Sequence, residues 1–154
     1  MARPLTWLLS PLPILKFCQM VCLLLVVVFL IDGRIQWKMY SVIYALAFLL
    51  IFGCVVTLIL HYYEIQKTAT QVPWIKLELL WNGIGLTLCS LGCAVLMWDW
   101  WQLRNGHRQH HNALTPHNIG EIRWQRRVLI VTGSLLLSAC LFLCTLIRVR
   151  RTGI

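Results

Sequence analysis

The chain has 154 residues, 59% of them hydrophobic and only 12% charged, with a formal net charge of +9. Soluble domains carry roughly 45–50% apolar and about 25% charged residues, so this composition argues against a water-soluble globular fold. The basic excess lies in loops and tails, where it points to anionic lipid headgroups rather than to nucleic acid, which needs a folded soluble surface to be read.

Four apolar stretches dominate, at about 14–31, 40–60, 77–97 and 128–147. A helix needs about 20 mostly apolar residues to cross a hydrocarbon core of about 30 Å. Lipid offers no partner to a bare peptide group, so such stretches must be helical. The expected fold is all-α: a polytopic membrane protein whose single domain, residues 1–154, is an antiparallel bundle of four transmembrane helices. The connections, about seven residues (32–38), sixteen (61–76) and thirty (98–127), leave no room for a separate domain.

The first stretch opens with Lys16 and Gln19. A cleaved leader is the competing reading of this segment, but no small-residue cleavage site follows Leu30, and it is expected to remain as a helix. The second stretch carries Ser41, Ala45, Gly53 and Thr57 at small-residue spacings that suit helix contact.

The third stretch is the most patterned. Glu78, Asn82, Gly85, Cys89 and Gly92 or Cys93 recur at steps of three and four, which puts polar and small residues on one face. In lipid such a face turns toward other helices. A Lys16–Glu78 ion pair, with Gln19–Asn82 one turn deeper, would satisfy all four groups. An ion path would need polar groups across the whole bilayer, and here the strong ones stop after Asn82.

The long connection that follows holds His107, His110, His111 and His117, with turn signals at Asn105-Gly106 and Thr115-Pro116. Histidines in a cluster can bind Zn²⁺ or Cu²⁺. No cysteine joins them, and Glu121 is the only carboxylate between Asp99 and the fourth stretch. A solvated basic loop is expected, with no metal site. In the fourth stretch, Thr132, Gly133, Ser134, Ser138 and Cys140 read as contact-forming residues.

The eight tryptophans stand mostly at the stretch ends, as expected of residues at headgroup level. All seven cysteines lie inside the stretches, so no loop disulfide framework is expected. Six form i, i+4 pairs: Cys18/Cys22, Cys89/Cys93 and Cys140/Cys144. Four-helix thiol oxidoreductases use a Cys-x-x-Cys at a membrane edge, which is missing here, and small packing residues are the simpler reading. Cys18 and Cys22 are candidates for palmitoylation if they lie near the cytosolic interface. Lysine and arginine divide seven to seven between the two sides, so charge gives no orientation.

The third stretch opens Val-Pro-Trp-Ile-Lys-Leu-Glu-Leu-Leu-Trp-Asn-Gly (72–83) and the first opens Ile-Leu-Lys-Phe-Cys-Gln (14–19). A basic residue starting helix one and an acidic residue with an Asn starting helix three are similar to MARVEL-type tetraspan proteins such as the chemokine-like factor family. Small tetraspan components of invertebrate septate junctions, the Pasiflora group, resemble the chain in size and layout. The resemblance implies cytosolic termini and a cytosolic 61–76 loop, in the plasma membrane or secretory vesicles. It implies a non-enzymatic scaffold in cell junctions, membrane apposition or vesicle traffic, without cofactor, whose partners are lipids, other membrane or junction proteins, or a second copy. A small transporter, a channel subunit or a membrane thiol oxidoreductase is the alternative.

Overall fold

The computed structural model describes residues 4–68, 71–114 and 118–153. Among these the regular structure is all helical: a 3-10 turn at Leu5–Leu9, α1 (Pro11–Leu30), a 3-10 turn at Ile31–Gly33, α2 (Lys38–Tyr62), a single turn α3 (Ile65–Thr68), α4 (Trp74–Arg104) and α5 (Glu121–Thr152). Four of these segments are long and apolar enough to cross a membrane: Pro11–Gly33, α2, α4 and α5.

Local chemistry fixes the ends. Pro11 opens α1, where a missing N–H costs nothing. Gly120 takes a positive φ of 71° and hands the chain to α5, whose first turn carries Glu121 at the positive end of the helix dipole. Gly153, also at φ 71°, closes α5 by donating its N–H to the Val149 carbonyl at 3.0 Å.

The helices overrun the apolar stretches. The connection expected over 98–127 is only 105–120, because α4 continues to Arg104 and α5 begins at Glu121. Hydropathy marks only the part suited to lipid, whereas packing carries the helix further. Leu103 and Trp124 are both buried, and Gln125 Nε2 donates to the Leu103 carbonyl at 3.3 Å, tying the last turn of α4 to the first of α5.

α4 packs most extensively on α5, and α1 lies against α2 and α5. Leu23, Val26 and Leu30 of α1 meet Tyr40 and Leu50 of α2, Leu96 of α4 and Val128, Val131 and Phe142 of α5 in one buried core. Close approach is set by glycine: a Cβ on Gly85 would fall 2.6 Å from Phe142 Cε1, and one on Gly33 would fall 1.9 Å from Trp124 Cη2. α2 and α4 touch little, and between them runs a cleft of about 350 Å³ lined by Phe52, Val56, Leu60, Leu77 and Trp81. The outer surface is rich in exposed Leu, Ile, Val and Phe, among them Val21, Leu24, Phe52, Leu80, Leu91 and Leu136.

Several sequence expectations change. Trp124 is 1% exposed, so it is a core residue and not an interfacial one, whereas Trp98 and Trp101 are exposed at the end of α4. Ser41 and Ala45 face outward, because the buried stripe of α2 is Tyr40, Ile43, Ala47, Leu50 and Cys54. On α5, Thr132, Ser134 and Ser138 are buried, but Gly133 and Cys140 are exposed. Small size alone does not say which side of a helix meets its neighbour.

Candidate functional site

Two buried polar clusters occupy opposite ends of the helical core. At the first, Lys16 Nζ lies 2.6 Å from Glu78 Oε1 and donates to Asn82 Oδ1 at 3.3 Å. Asn82 Nδ2 donates to Glu78 Oε1 at 2.8 Å and to the Glu78 carbonyl at 2.7 Å. All three residues are at most 4% exposed. The result is a closed triangle of opposite charges bridged by an amide. Such a pair is neutral as a whole, while deleting either partner of a buried ion pair strands a charge at a cost of about 3–5 kcal/mol.

Gln19 does not pair with Asn82. Its Nε2 donates to Thr145 Oγ1 at 2.9 Å, and its Oε1 accepts from the Cys54 thiol at 3.4 Å. Three residues along a helix turn its face by about 300°, so Gln19 points past α4 toward α2 and α5 when Lys16 points at α4. Thr145 in turn donates to the Leu141 carbonyl at 2.8 Å. Through Lys16, Gln19, Cys54, Glu78, Asn82 and Thr145, the cluster links all four long helices.

The second cluster departs from the sequence expectation. Asp99 of α4 is fully buried and receives the Tyr40 hydroxyl on Oδ2. His110 Nε2 and His111 Nε2 each lie 2.7 Å from Asp99 Oδ1. Asp99, His110 and His111 are thus grouped so that one ligand atom from each falls within 4.8 Å of the others, close enough to hold a metal ion. The expectation of a loop wholly in solvent is corrected for these two histidines. His107 is exposed, and His117 lies outside the described residues.

Aromatic rings wall this cluster. The Trp37 ring stacks on His111 at 5.9 Å and meets His110 edge-on at 5.2 Å, and Tyr40 packs against Trp124 at 5.5 Å. The loop is pinned from both sides. Asn112 donates its N–H to the Gln36 carbonyl at 2.7 Å, and Arg108 pairs with Glu121. That carboxylate makes the Arg108 guanidinium hold its proton more firmly than usual. Arg127 Nη1 also reaches Asp32 Oδ2 at 2.6 Å, joining α5 to the turn after α1.

A signal for Asp99 was present in the sequence. The rhythm 78, 82, 85, 89, 92 continues to Leu96, Asp99 and Leu103, and those are the remaining buried residues of α4. Cys54 and Thr145 gave no comparable signal, since one thiol or hydroxyl in an apolar helix has no distinctive spacing.

All seven cysteines are free thiols. Cys22, Cys54 and Cys89 are buried, Cys93 is half-buried, and Cys18, Cys140 and Cys144 face outward. Cys18 and Cys22 therefore share a helix edge but not an environment, which removes Cys22 from the accessible candidates for acylation. Comparison with protein-family models, curated proteins and solved structures gives no match to this chain.

Proposed function

We propose that the chain is an integral membrane protein of the plasma membrane or secretory vesicles, acting as a non-catalytic scaffold in cell junctions, membrane apposition or vesicle traffic. Its four long helices cross the bilayer in alternating directions, with the termini on the cytosolic side and the 105–120 loop on the other. The observation that carries this reading is the placement of the two polar clusters. At about 1.5 Å per residue, Glu78 and Asp99 stand roughly 32 Å apart along α4, close to the hydrocarbon thickness of about 30 Å. Between Asn82 and Asp99 the buried positions of α4 are Gly85, Cys89, Gly92 and Leu96. The core there is packed side chain, which supports helix association over conduction.

The contact pattern agrees with alternating helix directions. Lys16 near the start of α1 meets the start of α4, while Gln19 meets residues late in α2 and α5. At the other end Tyr40, early in α2, meets Asp99, late in α4, and Trp124, early in α5. The resemblance of residues 14–19 and 72–83 to MARVEL-type helices supports the role and the orientation.

Epitope tags at each terminus and in the 105–120 loop, read with and without permeabilisation, test the topology. Only the loop tag is expected to be reached in intact cells. Proximity labelling in a polarised epithelium tests the role. Neighbours drawn from junction or vesicle membranes support it, and labelling spread evenly over the endoplasmic reticulum overturns it.

A further inference from the structure

We propose that Asp99, His110 and His111 form a binding site for a divalent transition-metal ion, with Zn²⁺ the ion that fits it best. The two imidazole Nε2 atoms converge on one carboxylate oxygen at 2.7 Å each. Tetrahedral zinc, with Zn–N of about 2.0–2.1 Å and Zn–O of about 2.0–2.2 Å, holds neighbouring donors roughly 3.3 Å apart. To admit the ion, each histidine draws back from Oδ1 by about half an ångström, and the ligand atoms, now within 4.8 Å of one another, settle to a common spacing of roughly 3.3 Å.

The donor set selects the class of ion. Two imidazoles and one carboxylate suit borderline ions such as Zn²⁺, whereas Mg²⁺ and Ca²⁺ prefer oxygen cages and Cu(I) prefers sulfur. The three ligands leave a fourth position for water. His110 is 19% exposed at its side chain, and a hollow of about 180 Å³ lined by Arg108, His111 and Asn112 adjoins the cluster, giving an ion a way in.

The surroundings hold the ligands in place, as they do in metal sites generally. The Tyr40 hydroxyl on Oδ2 fixes the rotation of the Asp99 carboxylate, and Oδ1 is left toward the histidines. Trp37 sets the planes of both imidazoles. Asp99 is carried by a long helix, while the histidines sit on a loop tied down at Asn112 and Arg108. Bound metal would therefore latch the 105–120 loop to the ends of α2 and α4, whichever side of the membrane that end occupies.

The test uses the full chain purified in detergent without a histidine tag and freed of metal by a chelator. Zn²⁺ is titrated against a chromophoric indicator, and Co²⁺ is followed by its visible absorption. One ion per chain and a four-coordinate cobalt spectrum are expected. Tyr40→Phe should weaken binding by about ten- to a hundredfold, and His110→Gln or His111→Gln by more than that. Glutamine keeps a hydrogen-bond donor for Asp99, so a purely hydrogen-bonded cluster would tolerate it. His107→Gln, at an exposed histidine of the same loop, should leave affinity unchanged. A readout free of variants is the wild-type melting temperature, which Zn²⁺ should raise and Mg²⁺ should not. Failure to bind one ion, no rise in melting temperature, or an equal loss in the His107 variant would overturn the site.

Discussion

Gly53 of α2 and the Trp81 ring of α4 fit together so closely that a Cβ on Gly53 would lie 1.8 Å from Trp81 Cζ2 and 2.4 Å from Cη2. The indole is rigid and borders the cleft between the two helices, so a methyl group there must push α2 away from α4 or turn the ring out. Gly53→Ala should destabilise the protein by about 1–3 kcal/mol, the usual range for overpacking. Adding Trp81→Leu, which opens the same space, should recover part of that loss. Unfolding in mixed micelles of a mild detergent and dodecyl sulfate measures both.

The Lys16–Glu78 pair predicts a non-additive cycle. Lys16→Met or Glu78→Met alone leaves the opposite charge buried beside Asn82 and should cost about 3–5 kcal/mol. The double methionine variant should lie closer to wild type than either single variant, since apolar replacement of a whole buried pair is often close to neutral. Exchanging the two charges should restore part of the folded yield seen by size-exclusion chromatography. Additive losses would mean that the two side chains do not act on one another.

Two glycines in long helices should respond with opposite sign. Gly85 faces Phe142, so Gly85→Ala should destabilise by about 1–3 kcal/mol through crowding. Gly133 has nothing within 4 Å of an added Cβ, and Gly133→Ala should stabilise by about 0.5–1 kcal/mol by removing backbone freedom from the unfolded chain. Melting temperatures in one detergent suffice to compare them. A loss at Gly133 equal to that at Gly85 would refute the difference in packing.

Thiol chemistry should divide the first pair of cysteines. Cys18 faces outward and Cys22 is 7% exposed, so a lipid-soluble maleimide should label Cys18 much faster. Acyl exchange from cells should report any palmitate on Cys18, lost in Cys18→Ser and kept in Cys22→Ser. Reductant should leave the assembly state unchanged, because the seven cysteines are free thiols. A reductant-sensitive dimer on non-reducing gels would contradict this.

Much of the architecture was legible in the sequence because a buried face writes its period into the chain. The step of three and four from Glu78 to Gly92 names the face of α4 that is buried. The partner of each polar group was less legible, because the sequence does not state the relative rotation of two helices. Gln19 has the chemistry to bond Asn82, yet Thr145 and Cys54 stand where its face points. The helix ends depart from the expected bounds for a different reason. Segments such as Asp99–Gln102 and Ile122–Gln125 are too polar to read as membrane, although Leu103 and Trp124 give them a core to pack on. His110 and His111 read as ordinary loop residues because their anchor, Asp99, falls in the connection expected over 98–127 rather than inside a helix.

In the membrane-spanning reading proposed above, the paired clusters on α4 have a consequence for the bilayer itself. Both are pinned to a single unbroken helix, so the distance between them cannot shorten without breaking backbone hydrogen bonds or stranding a charge in oil. The bundle is a rigid gauge of fixed length. In a bilayer thinner or thicker than that length, the protein must tilt or the surrounding lipid must bend to meet it, at a fraction of a kcal/mol per ångström of mismatch. Copies sharing one collar of deformed lipid lower that penalty by standing side by side. In that reading, bilayer thickness alone becomes a force that would gather copies of the chain, without any contact between matched surfaces.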